Sequence, residues 1–263
     1  MQISLDGRVL GYDDTAAPGL PLVLVHGFGC DRTVWDPIVA GLSGHRVIRP
    51  DLRGCGESEP GDGPALMEVL AGDLAALLDV LQVERAVVAG HSLGGYVTFA
   101  FFRMYAERCA GLGFVASHAR SDTPEAAAWR ESLAQAAERD GNMDAIVAWY
   151  APRLAAPSAA QSGVLDELIA LMARQNPRGA GQLLRGMKAR LDSADLFADI
   201  AVPALVVVGE LDALIPLEAS RAVADGVAGA TLVVLEGIGH SIPLEAPLAA
   251  AVALGELLDR SGG

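Results

Sequence analysis

Ser92 stands in the pattern Gly-His-Ser-Leu-Gly, residues 90–94, between two apolar stretches. A serine hydroxyl attacks a carbonyl carbon when a general base removes its proton and a third group orients that base. Gly-x-Ser-x-Gly between a strand and a helix makes a sharp turn that exposes the hydroxyl at the edge of a sheet. The alternative is a glycine-rich turn whose serine only caps a helix. The flanking apolar runs favour a nucleophile and therefore acyl-transfer chemistry.

The general base that we predict is His240. It follows the last apolar run of the chain, in residues 236–240, and glycines on both sides of Ile238 let this loop reach back over the sheet. The neighbour of Ser92, His91, is expected to point elsewhere and to be structural. His118 follows another apolar run and is predicted to line the substrate pocket. The remaining histidines are His26 and His45.

The acid that orients the base is predicted to be Asp212. It lies just after the apolar run 204–209, in a loop that ends at Pro216. Glu210 is the immediate competitor and Asp122 a weaker one. The resulting chain order of serine, aspartate and histidine is typical of one hydrolase architecture.

A tetrahedral intermediate also needs two hydrogen-bond donors for its oxyanion. The backbone N–H of Leu93, directly after the serine, is the first predicted donor. The second is the N–H of Phe28, in the turn His-Gly-Phe-Gly of residues 26–29. A plain glycine turn is the alternative interpretation of that segment.

These groups need a rigid scaffold, and apolar runs alternate with helix-like stretches along the chain. Runs that are continuously apolar are typical of parallel strands covered on both faces, so we predict an α/β fold with a mostly parallel, eight-stranded sheet. The runs are 21–25, 45–50, 85–90, 111–117, 204–209 and 231–237, and a hairpin at Asp6-Gly7 joins two more. Helices are expected over 66–82 and 94–108.

The alternation stops between residues 118 and 200, where helix start signals replace strands. Thr123, Asn142, Ser158 and Asn176 are the predicted starts of four helices. We therefore predict a core domain of residues 1–117 and 201–263 with a helical cap of residues 118–200. Trp129, Trp149, Tyr150, Leu168 and Met172 are candidates to line the pocket under the cap, although aromatic and apolar residues at helical spacing more often pack in the core.

Composition excludes several classes of protein. The net charge of −14 disfavours nucleic acid and anionic membranes as partners, and acidic residues interrupt every apolar run before it reaches the length of a membrane span. The N-terminal residues lack the pattern of an export signal. Cys30, Cys55 and Cys109 are scattered, which indicates neither disulfides nor zinc and suits a reducing, cytoplasmic location.

Five motifs in order, HGFG, DLRGCGES, GHSLGG, GELDALIP and GIGH, resemble the α/β-hydrolase superfamily over nearly the whole chain. The resemblance is closest to carboxylesterases and the 3-oxoadipate enol-lactonase group. It implies hydrolysis of a small ester or lactone without metal or organic cofactor. Serine at the turn disfavours dehalogenases and epoxide hydrolases, which use aspartate there. Acyl transfer, perhydrolysis, C–C bond hydrolysis and a slow-turnover ligand receptor are the alternatives.

Overall fold

The strands form where the sequence is continuously apolar. The computed structural model describes residues 1–5 and 7–262, apart from the side chains at 160 and 161, and these residues build one eight-stranded sheet. The strands are β1 (Gln2–Leu5), β2 (Arg8–Asp14), β3 (Leu22–Val25), β4 (Val47–Pro50), β5 (Ala86–His91), β6 (Cys109–Val115), β7 (Ala204–Gly209) and β8 (Thr231–Leu235). Asp6, predicted in the first turn, lies outside the described residues.

The strand order is β1-β2-β4-β3-β5-β6-β7-β8. β2 pairs antiparallel with β1 and β4, and all pairs among β3 to β8 are parallel. β3 to β7 are buried along their whole length, as strands covered on both faces must be. The predicted fold class is therefore confirmed.

Helices fill the connections between the strands. They are α1 (Asp36–Gly41), α2 (Met67–Val80), α3 (Leu93–Tyr105), α4 (Pro124–Asp140), α5 (Asp144–Leu154), α6 (Val164–Ala173), α7 (Pro177–Lys188), α8 (Leu217–Gly226), α9 (Ile242–Glu245) and α10 (Pro247–Arg260). Phe99 of α3 stacks on Phe114 of β6 with ring centroids 4.1 Å apart, which holds the helix after Ser92 against the sheet. None of the described helices is long and apolar enough to cross a bilayer.

Helices α4 to α7 occupy the segment between β6 and β7. The Thr123 hydroxyl accepts the N–H of Ala126, and the Asn176 side chain caps α7, as predicted. Asn142 also accepts an N–H, that of Asp144, although α5 formally starts one residue later than a cap at 142 would give.

The predicted start at Ser158 is wrong. Ser158 lies in a short 3₁₀ turn, Pro157–Gln161, and α6 begins only at Val164. Gly163 precedes it with φ of +81°, a conformation that interrupts any helix running from the turn.

The residues between α6 and α7, together with the backbone of α7, bind this helical segment to loops that follow the strands. The Arg174 guanidinium donates to both carboxylate oxygens of Asp31, and the Gln175 amide donates to the same carboxylate. Ala65 N–H donates to the carbonyl of Gln182. These bonds join residues far apart in sequence and fix the helices over the carboxyl ends of the strands.

Candidate active site

Ser92 occupies a strained turn between β5 and α3. Its φ of 51° and ψ of −112° lie outside the regions that a serine normally adopts. Its N–H donates to the carbonyl of Val115, and its own carbonyl accepts from Gly95 N–H and the Ser117 hydroxyl. The surrounding backbone therefore holds the strained conformation in place.

Glycine is required on both sides of this turn. A β-carbon at Gly90 would overlap the carbonyl group of Gly94, and one at Gly94 would overlap the carbonyl oxygen of Val25. The helix can therefore pack directly against the strand ends only because these side chains are absent. The turn leaves Ser92 partly exposed, lining a cavity.

Asp212 and His240 meet at the carboxyl ends of β7 and β8. Nδ1 of His240 lies 2.8 Å from Oδ2 of Asp212, and both side chains are buried. Because a carboxylate can only accept, His240 carries its hydrogen on Nδ1 and keeps a lone pair on Nε2. In the described part of the chain no protein group occupies that lone pair.

The Asp212 carboxylate is kept ionised by its surroundings. Burial alone would raise its pKa, but the neighbouring His240 and the N–H groups of Leu214 and Ile215 outweigh burial and lower it. Oδ1 accepts both N–H groups, at 2.8 and 2.9 Å, so Oδ2 faces the imidazole. The carboxylate is therefore charged and aimed at His240.

The competing acids have other partners. The Glu210 carboxylate accepts the N–H of Gly237 at 3.0 Å on the surface. Asp122 pairs with Arg130 and Arg190 instead of a histidine. Of the acids weighed from the sequence, Asp212 alone contacts His240 among the described residues.

His91 connects the serine turn to the histidine loop. Its Nε2 lies 2.9 Å from the carbonyl oxygen of His240, and the two rings lie 5.0 Å apart. Burial, together with His240, lowers the pKa of His91 to about 3, so it is neutral near pH 7 and donates this bond. No hydrogen bond joins Ser92 to the His240 ring within the described residues. The hydrogen bond of His91 instead holds the backbone of His240 beside the turn that contains Ser92.

Glu245 holds the His240 loop from the opposite side. One carboxylate oxygen accepts from Gly239 N–H at 3.0 Å and from Ala156 N–H at 2.8 Å, and the other accepts from Ser241 N–H at 3.0 Å. The residues before and after His240 are thus bound to one side chain. Since Ala156 follows α5, the same carboxylate ties the helical segment to this loop. No local pattern in the sequence marks Glu245 for this role.

The turn with Phe28 is braced by a buried histidine. Nε2 of His26 accepts the N–H of Leu52 at 2.9 Å, so its hydrogen is on Nδ1 and is donated to the carbonyl of Gly27 at 2.8 Å. Neither Phe28 N–H nor Leu93 N–H donates to another described protein group. Both predicted oxyanion donors are therefore available to a ligand.

A cavity of about 480 Å³ opens onto Ser92. Its walls include four of the six side chains named as pocket candidates from the sequence. These are His118, Trp129, Trp149 and Tyr150. Tyr150 also packs on Phe28, with ring centroids 5.1 Å apart. Leu168 and Met172, the other candidates, are buried in the core and do not line the cavity, because α6 packs its apolar face inward.

Charged and polar groups line the same cavity, and most of them could not be predicted from the sequence. Arg130, Arg190 and Asp122 form a buried cluster, and Tyr96 and Met187 lie beside it. They come from three separate segments, so no local pattern marks them. Within the described ranges no group of three acidic, cysteine or histidine side chains is placed to hold a metal ion.

The chain is similar in sequence to known hydrolases over most of its length. Residues 22–254 match the model of the alpha/beta hydrolase family. The chain is 30% identical over 242 residues, 90% of each protein, to an Azorhizobium caulinodans protein whose name proposes a carbamate hydrolase, RutD.

Two solved structures are similar over almost the entire chain. A thermophilic esterase from Thermogutta terrifontis, described with malate bound, has a TM-score of 0.95 at 37% identity over 100% of both chains. The enol-lactonase from Burkholderia xenovorans LB400 has a TM-score of 0.90 at 28% identity, covering 98% of this chain and 100% of that one.

Proposed function

The chain belongs to the alpha/beta hydrolase family, and on that premise we propose that it hydrolyses carboxylic esters or lactones. Ser92 is the nucleophile, His240 the base and Asp212 the acid that orients the base. The observation that carries this proposal is the 2.8 Å contact between Asp212 and His240, whose carbonyl binds the residue before Ser92. The similar structures named as esterase and enol-lactonase support the same reaction class.

In the first half of the reaction, Nε2 of His240 takes the proton of the Ser92 hydroxyl as its oxygen attacks the carbonyl carbon. The bond to the leaving oxygen then breaks, and His240 returns the proton to that oxygen. Asp212 stabilises the imidazolium in between. Water hydrolyses the acyl-serine by the same steps and restores the free hydroxyl.

The oxyanion of each tetrahedral intermediate is bound by the N–H groups of Phe28 and Leu93. The free state of both donors and the bracing of their turn by His26 support this role. Leu93 is also the first residue of α3, so the positive end of the helix dipole adds to the stabilisation. Loss of one such donor costs roughly 10²–10³-fold in rate.

Residues 118–200 act as a cap that sets substrate choice. α4 and α5 place Trp129, Trp149 and Tyr150 on the wall of the cavity that contains Ser92. These rings also contact one another, with 5.6 Å between the Trp129 and Trp149 centroids and 4.5 Å between those of Trp149 and Tyr150. They provide an apolar surface for the carbon skeleton of a substrate.

Stopped-flow hydrolysis of p-nitrophenyl acetate and butyrate tests the proposal. We expect turnover with formation of an acyl-enzyme, and neither in Ser92→Ala, which should fold normally. Full activity of Ser92→Ala would refute the assignment. A single product per protein molecule would instead identify a receptor, and products with added alcohol or hydrogen peroxide would identify acyl transfer or perhydrolysis.

A further inference from the structure

Among the described residues that line the cavity, two buried arginines face one buried carboxylate. The side chains of Arg130 and Arg190 are 16% and 3% exposed, and that of Asp122 is 4% exposed. Asp122 lies between the two, 2.5 Å from each. One carboxylate neutralises one guanidinium, so the cluster carries a net positive charge on the wall of the cavity that contains Ser92.

The two arginines are hydrogen-bond donors, and the one strong acceptor of the cluster, the Asp122 carboxylate, is already bound by them. Arg130 donates to Asp122, to the Tyr150 hydroxyl at 3.1 Å and, weakly, to the Met187 sulfur at 3.4 Å. Arg190 donates to Asp122 and to the carbonyls of Arg120 and Met187, and its guanidinium lies 4.1 Å from the centroid of the Tyr96 ring. Both carboxylate oxygens of Asp122 thus accept from the arginines, so Asp122 does not serve as an acceptor for a ligand.

Two phenol groups add further donors. Because the Tyr150 hydroxyl accepts from Arg130, its own hydrogen is available to a ligand. His118 accepts the N–H of Arg120 on Nδ1, and burial lowers its pKa to about 4, so its hydrogen is on Nε2. It donates to the Tyr96 hydroxyl at 3.1 Å, which leaves the hydrogen of Tyr96 available as well.

The remaining acidic residue among those that line the cavity does not cancel this charge. Glu125 is fully exposed at the rim, where water and salt screen it. The net charge of the whole chain is −14. Salt screens exposed charges over about 8–10 Å, so they repel an anion in the cavity only weakly. A buried cation with unsatisfied charge attracts an anion much more strongly than exposed charges repel it.

We propose that the Arg130–Asp122–Arg190 cluster binds a carboxylate of the substrate, so that the preferred substrate is an ester or lactone that also carries a carboxylate group. This inference rests on the proposed function. The carboxylate completes the charge balance of the cluster and accepts from Arg130 and the two phenols. The scissile carbonyl then lies at Ser92, at the other part of the same cavity. A monoester of a dicarboxylic acid and a carboxylate-bearing lactone both meet this requirement.

A matched pair of substrates tests the proposal. Mono-p-nitrophenyl glutarate and p-nitrophenyl 5-methylhexanoate have the same shape, but only the first carries a carboxylate. We expect the kcat/KM of the anionic ester to exceed that of the neutral one by about tenfold or more, as for a hydrogen bond between charged groups. A lactone bearing a carboxymethyl group, compared with its methyl ester, shows whether lactones share the preference.

Arg130→Gln should reduce the ratio of the two kcat/KM values by about tenfold. Arg139→Gln is the matched control, because Arg139 lies on the same helix but is exposed and, among the described residues, pairs with Asp140 alone. It should leave the ratio unchanged. A structural role of the cluster would instead lower the melting temperature of Arg130→Gln without changing the ratio.

Calorimetric titration with glutarate separates this inference from the proposed function. We expect glutarate to bind the wild type and Ser92→Ala, and more weakly at high ionic strength. Binding without hydrolysis of any ester would overturn the proposed function and retain the carboxylate site. Equal hydrolysis of both esters with no glutarate binding would overturn the carboxylate site alone. The ratio of the two ester kcat/KM values and glutarate binding are both measured on the wild type, so they test the carboxylate site even if Arg130→Gln fails to fold.

Discussion

Nε2 of His91 lies 2.9 Å from the carbonyl oxygen of His240, so the residue before the proposed nucleophile holds the residue that carries the proposed base. The bond joins the carboxyl end of β5 to the loop after β8 across the top of the sheet. Because His91 is neutral and buried, the contact is a hydrogen bond that does not change with pH near neutrality. The geometry of the site thus depends on a histidine that does no chemistry.

This relationship gives a first prediction. His91→Ala removes the bond and leaves a cavity, which should lower kcat by about tenfold and destabilise the fold by about 2 kcal/mol. His91→Gln can donate from nearly the same position and should retain most of the activity. His240→Ala, by contrast, should lose about 10⁴-fold or more. If His91→Ala were as inactive as His240→Ala, the assignment of the base would be wrong.

The orienting acid is tested by a pair of substitutions. Asp212→Asn cannot stabilise the imidazolium and favours the wrong tautomer of His240, so kcat should fall by roughly 10³–10⁴-fold. Glu210→Gln is the control, since Glu210 is exposed and, in the part of the chain that the structure describes, its carboxylate accepts the Gly237 N–H and no other. It should change kcat by less than about twofold. The opposite pattern in steady-state kinetics would assign the acid to Glu210.

Glu245 should behave as a positioning residue. Glu245→Gln replaces one acceptor oxygen with an NH₂ group, so part of the three-way contact with Ala156, Gly239 and Ser241 is lost. We expect kcat to fall by about tenfold with KM nearly unchanged, because the substrate cavity is intact. A variant that melts earlier but retains its kcat well below the melting temperature would show that Glu245 only stabilises the fold.

Stability should depend on pH through Asp31. Burial alone would raise its pKa, but hydrogen bonds from Thr33, Arg174 and Gln175 outweigh burial and hold it at about 2. Since this is below the unfolded value of roughly 4, Asp31 stabilises the fold fully above about pH 4, and the stabilisation is lost as pH falls through 2.

Asp31→Asn should therefore lower the free energy of unfolding by about 1–2 kcal/mol at about pH 7, allowing for the exposure of Arg174. The loss should shrink to about a third of that value at about pH 2.5. Urea unfolding followed by circular dichroism measures both values. An equal loss at the two pH values would show that ionisation of Asp31 contributes nothing.

The sequence predicts the sheet well because its signals are local. Continuous apolar runs identify the buried strands, and glycines spaced around Ser92 identify the turn between β5 and α3. The error at Ser158 has a local cause too, since Pro157 starts a 3₁₀ turn that Gly163 then ends. The apolar pattern does not distinguish such a turn from the first turn of an α-helix.

Contacts between distant segments could not be predicted in the same way. Asp122 and Arg190 are 68 positions apart, and Asp31 and Arg174 are 143 apart. An exposed and a buried arginine look the same in a sequence, so only the folded chain identifies the cluster in the cavity. Asp212 and His240 were found because each follows a strand, and parallel strands bring their carboxyl ends to one edge.

The most direct test of the account is the identity of the residue that becomes acylated. The protein is incubated with a fluorophosphonate or with p-nitrophenyl acetate at low pH, digested, and analysed by tandem mass spectrometry. We expect one adduct per chain, on the hydroxyl of Ser92, that His240→Ala suppresses. An adduct on any other residue, or full hydrolysis with Ser92 unmodified, would contradict the account.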